Sequence, residues 1–178
     1  MRVCLAIASM VATRTAAAVT ATLMAAAVIS ALPAPVAAKT LRSYQDDRFG
    51  TAAAVPPDWR RLPPDERWHG TRFVSPDGSS WLAIYAAPSR DRVETHMDAT
   101  TRDVGERITL LVRRPGWLVV SGTKGDRVFY RKAVLACDGR ETVWHHIALQ
   151  YPARMKRTYD PLAAVVSRSM EPAQQNCG

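Results

Sequence analysis

Four histidines, at 69, 96, 145 and 146, are the side chains of this 178-residue chain that titrate nearest neutral pH, so metal or acid–base chemistry would fall first to them. Zinc sites usually announce themselves by ligands at short helical or knuckle spacings. The single close pair here is His145-His146, and neighbours on a strand point to opposite faces. His145 shares a face with Val143 and Ile147 and is expected as a hydrogen-bonded core residue. His146 shares the face of Trp144 and is expected at the surface. No metal and no cofactor follow from this pattern.

Other reactive sets are equally thin. There is no Gly-x-Ser-x-Gly elbow and no Ser-x-x-Lys motif, and Ser79-Ser80 sit beside a turn glycine. The absence of a glycine-rich phosphate loop argues against nucleotide use. Acidic residues such as Asp77, Asp126 and Asp138 fall in turns, where they have structural work. Paired carboxylates leave no fixed spacing, so an envelope hydrolase with an unrecognised acid pair is the alternative reading.

Basic residues among aromatics give the strongest binding signal. Arg60, Arg61, Arg67 and Arg72 surround Trp59, Trp68 and His69 in a segment, residues 56–70, that holds four prolines. Arginine and aromatic groups on a pre-stiffened loop are good anchors for a partner surface. The competing reading has both tryptophans pinning the loop to the sheet, with the arginines solvated.

The positioning elements begin after a leader. Residues 1–38 carry Arg2 and Arg14 and no acidic group, then an apolar, alanine-rich run from Ala16 to Leu32. Pro33 and Pro35 end that run, and Val36-Ala37-Ala38 offers small residues before Lys39. This is the pattern of a secretory signal peptide cleaved after Ala38, with Met1 or Met10 as its start. The run is near the lower length limit for a membrane anchor, so no transmembrane span is expected in the mature form. Removing 38 of the 178 residues leaves 140, carrying +6, enough for one self-sufficient domain over 39–178 with an ordered core at about 44–170. Export leaves two cysteines, Cys137 and Cys177, and an oxidising compartment favours their pairing as a disulfide. Export also makes nucleic acid an unexpected partner; an envelope protein or an anionic envelope polymer fits better.

Within 39–178, Phe49–Val55 reads as extended, and residues 56–70 read as a long loop. Pro76-Asp77-Gly78 is a hairpin turn between strands at 71–75 and 80–85. Val93, Met97, Thr100 and Val104 share one helical face, ended by Gly105. Strands at 108–113, 117–122, 127–137 and 142–151 follow, separated by Pro115-Gly116, Lys124-Gly125-Asp126 and Asp138-Gly139. Asp160-Pro161 then resembles an N-cap and first helical position, with Leu162, Val165, Val166 and Met170 as the apolar stripe, and the basic stretch Arg154–Arg157 before it reads either as a turn or as an extra helical turn. The economical fold is α+β, an antiparallel sheet with flanking helices.

Arg48-Phe49-Gly50, the proline-led turn ending in Trp59, Ser75-Pro76-Asp77-Gly78, the aromatic strand Arg127–Arg131 and Tyr151-Pro152 occur together in small exported bacterial proteins of unknown function. The element order resembles the PsbP-like sandwich, shared by an extrinsic photosystem subunit and a Ran-binding nuclear import factor. The resemblance spans about residues 44–170 and implies that fold. Its relatives mostly bind proteins rather than catalyse, and it transfers no functional residue, because the shared words are turn and strand residues. Taken together, the expectation is a periplasmic or secreted, non-enzymatic accessory or binding protein of the envelope, or else a purely structural envelope component.

Overall fold

The computed structural model describes residues 40–63, 69–90, 92–101, 103–137 and 141–170. In chain order they form β1 (Arg42–Gln45), β2 (Ala52–Val55), β3 (Arg60–Arg61), β4 (His69–Val74), β5 (Trp81–Pro88), α1 (Val93–Thr101), β6 (Glu106–Arg114), β7 (Trp117–Lys124), β8 (Arg127–Cys137), β9 (Thr142–Pro152) and α2 (Lys156–Ser169). A 3₁₀ turn over Ala153–Met155 leads into α2.

β1 and β2 pair with each other, and the other seven strands form one antiparallel sheet in the order β3-β4-β5-β9-β8-β7-β6. The hairpin turns set the registers. At the β4–β5 turn Gly78 takes φ 70°, a conformation that costs glycine little. Asp77 accepts bonds from the hydroxyls of Ser75 (2.5 Å) and Ser79 (2.7 Å), closing that turn. β6 through β9 form a meander, and β9 then joins β5, placing Trp81 opposite Gln150 and Tyr85 opposite His146. Strand alternation gives the sheet two apolar faces. One packs Phe73, Leu82, Ile84, Ile147 and Leu149 against β2 and against Tyr159, Ala163 and Val166 of α2. The other packs Leu118, Val120, Phe129 and Trp144 against Met97 of α1.

Several expectations change. β1 precedes the first predicted strand, and the proline-rich loop contains a short strand, β3, paired to β4. α1 stops at Thr101, so Val104 lies beyond it and is 88% exposed rather than on the helix's buried stripe. Asp160-Pro161 does not start α2, which begins at Lys156 and carries Pro161 inside. The added turn carries Tyr159, whose ring is buried against Trp59 and Tyr151. Asp160 instead accepts the Tyr151 hydroxyl at 2.5 Å. The buried stripe is accordingly Tyr159, Ala163 and Val166, while Val165 faces outward. No helix among the described residues is long and apolar enough to cross a membrane.

Candidate functional site

The α1 face of the sheet carries polar and aromatic groups where the packing stops. Along β9, alternation sends Trp144, His146, Ala148 and Gln150 to this face, beside Trp81, Ala83 and Tyr85 of β5. α1 crosses nearby and contributes His96. The His96 ring stacks on the Trp144 indole with centroids 4.5 Å apart, and the His146 ring stacks on Tyr85 at the same distance. Nε2 of His96 and Nε2 of His146 stand 3.1 Å apart.

His146 is 3% exposed, contrary to its expected surface position, because α1 lies over the strand face that the alternation leaves open. Burial lowers its pKa to about 3, helped by the like charges of His96 and His145, so the imidazole is neutral. On the opposite face, His145 is buried as expected, and its Nδ1 bonds the Thr51 hydroxyl at 2.7 Å. Burial lowers the His145 pKa as well, against a smaller opposing pull from Asp46.

Two shallow depressions run along this face and share Tyr85 and Arg131. One, of about 370 Å³, is lined by His96, Thr100, Asp103 and His146. The other, of about 390 Å³, is lined by Arg72, Trp81, Ala83 and Ala148. The Arg72 guanidinium lies 5.0 Å from the Trp81 ring centre, and Trp81 Nε1 donates to Gln150 Oε1 at 2.9 Å. Arg131 forms a two-pronged pair with Glu106, whose side chain is buried, and also covers the Phe129 ring. A third, larger depression of about 1030 Å³ lies on the far side of α1, between Met97 and Trp117.

The predicted partner surface is not one surface. Trp59 is only 5% exposed, edge-on to Tyr159 at 5.9 Å, and belongs to the core; a partner cannot reach it. Arg60 and Arg61 are exposed on β3. Arg61 reaches Thr71 Oγ1 at 3.1 Å and covers Tyr44, on the α2 side. Arg72 covers Trp81 on the α1 side. The sheet therefore separates Arg61 from Arg72. Arg67 and Trp68 lie outside the described residues, and of His69 only the backbone is described, at the start of β4. Cys137 ends β8 with its Sγ 3.7 Å from Thr142 Oγ1, and Cys177 lies outside the described residues. Trp81, Tyr85 and Arg131 were not singled out by sequence; they converge with His96 from three elements and share no local spacing.

No protein-family model matches the sequence, and no curated protein matches it at a significant level. Solved structures do resemble it. The solution structure of cyanobacterial PsbP (CyanoP) from Synechocystis sp. PCC 6803 superposes with a TM-score of 0.54 at 14% identity, covering 78% of this chain and 96% of that one. LpqN of Mycobacterium tuberculosis, described as involved in cell envelope biogenesis, superposes with a TM-score of 0.49 at 15% identity, covering 74% and 92%. The CyanoP superposition identifies the fold: this chain is an α+β, PsbP-like sandwich.

Proposed function

We propose that this protein is an exported, non-catalytic binding protein of the cell envelope. Its partner surface would be the strip Arg72–Trp81–Tyr85–Arg131 rather than the proline-rich loop. The observation that carries the reading is that strip itself, where guanidinium groups and aromatic rings line one continuous shallow surface on the sheet. Such groups are typical anchors of protein interfaces. The formal charge of +6 on residues 39–178 favours an acidic partner, either an envelope protein or an anionic envelope polymer.

Export rests on the leader-like residues 1–38 and on the two remaining cysteines, which we expect to pair, Cys137 with Cys177. The mature protein would begin at Lys39 as a single domain. N-terminal sequencing of the protein from fractionated cells should read Lys39 onward, and intact residues 1–38 in the cytoplasmic fraction would reject export. Alkylation without reduction should add no mass, and two added groups would show free thiols. For the partner surface, a photo-crosslinker replacing Trp81 should capture one dominant partner in the native cells. The same probe at exposed Arg60 should capture far less. Equal capture at both positions, or none, would overturn the assignment.

A further inference from the structure

The His96–His146 pair has a geometry that partner binding does not require. Two imidazole nitrogens on one ion, each at about 2.0–2.1 Å, stand about 2.9 Å apart at a right angle and about 3.4 Å apart at the tetrahedral angle. The two Nε2 atoms here, at 3.1 Å, fall inside that interval. We propose that Nε2 of His96 and Nε2 of His146 bind one divalent transition-metal ion of the kind that prefers imidazole, copper(II) or zinc(II).

The surroundings suit an ion. Each ring is held by an aromatic face, His96 by Trp144 at 7° and His146 by Tyr85 at 3° between planes. Ligands held by packing lose little freedom on coordination, which strengthens binding. The two rings come from α1 and β9, fifty residues apart, so the fold itself brings them together. They also open onto the depression of about 370 Å³ that Thr100 and Asp103 line. Among the described residues no third His, Cys, Asp or Glu joins them. With two protein ligands, water would complete the coordination shell and leave those positions open to an outside ligand.

Without an ion, the pair forms one N–H···N hydrogen bond, with one ring donating from Nε2. On binding, that ring moves its proton to Nδ1, both Nε2 lone pairs turn to the ion, and the net protonation of the pair is unchanged. One hydrogen bond is exchanged for two metal–nitrogen bonds. Imidazole suits both ions, and copper(II) is the tighter binder in the general order.

The test uses the exported protein, stripped with a chelator and titrated with copper(II) or zinc(II) chloride. One equivalent should bind, and the copper form should show paramagnetic coupling to two imidazole nitrogens. His96→Ala should weaken binding about 100-fold or more, beyond the usual effect of a supporting residue. His96 is only half-buried, so circular dichroism should show that variant folded. His96→Gln provides a second folded variant, and Cys137→Ser should leave affinity unchanged. No saturable binding, or two-nitrogen coupling retained at full affinity in both His96 variants, would overturn the site. The proposal does not depend on the partner reading, because binding is read with metal alone.

Discussion

Replacing Trp59 with alanine separates a core residue from a surface anchor. The indole is 5% exposed, meets Tyr159 edge-on at 5.9 Å, and lies among Val55, Phe73 and Val166 in the α2-side core. A buried tryptophan hides roughly 150–250 Å². At ~25 cal/mol per Å² its full transfer contributes about 4–6 kcal/mol. Alanine retains part of that, so the expected loss is about 3–5 kcal/mol, the range seen for buried aromatics truncated to alanine. Against a domain stability of about 5–15 kcal/mol this is a large fraction. At about 2–4 °C per kcal/mol for a chain of this size, melting should fall by roughly 6–20 °C. Trp59→Phe keeps an edge-to-face partner for Tyr159 and should lose roughly half as much. Urea unfolding followed by far-ultraviolet circular dichroism avoids the lost tryptophan signal. A Trp59→Ala loss within about 0.5 kcal/mol, the range of surface substitutions, would refute the burial and return Trp59 to the partner surface.

Other perturbations probe different links. Thr51→Val leaves Nδ1 of buried His145 without its 2.7 Å partner and should cost about 1–3 kcal/mol in urea unfolding; a neutral result would show that no bond was lost. Gly70→Ala would place its new Cβ 2.2 Å from the Tyr85 Cβ and 2.6 Å from the Ile84 carbonyl oxygen. Backbone cannot yield cheaply there, so a loss of about 1–3 kcal/mol or more is expected, and an unchanged urea midpoint would contradict the β4–β5 spacing. Asp77 has a folded pKa of about 2, below its ordinary 3.8, chiefly because Ser75 and then Ser79 donate to its carboxylate. Its contribution to the turn is therefore complete above about pH 4 and fades as pH falls through about 2. The carboxyl carbon shift should titrate near 2 by NMR, and a midpoint at 3.8 or above would remove those hydroxyl bonds from the picture.

The sheet was largely readable because its turns carry explicit chemistry. Pro76-Asp77-Gly78 and Gly116 and Gly125 at positive φ mark chain reversals that local residues dictate. The β9 alternation placed His145 and His146 on their correct faces, and His145 in the core. How deeply His146 is buried depends on α1, whose packing no local pattern specifies. The same reason hid the Trp59 environment, since its neighbour Tyr159 lies a hundred residues later. By sequence Arg154–Arg157 reads as a turn or an extra helical turn; α2 starts at Lys156, inside that stretch, and the Asp160-Pro161 start signal lies within the helix. The meeting of His96 with His146 joins a helix to a strand far along the chain, so no spacing rule could reveal it.

Among the described residues β9 is the last strand, and yet it lies at the centre of the sheet, hydrogen-bonded to β5 on one side and β8 on the other. Until residues 142–152 are made, the chain holds a three-stranded piece, β3–β5, and a three-stranded meander, β6–β8, linked through α1 but with no strand pairing between them. The closing β5–β9 pairing spans more than fifty residues, the type of distant contact that slows folding. Completion is thereby delayed until synthesis is almost finished. On the proposed export route, a sheet that closes this late leaves the chain without its central pairing for most of its synthesis.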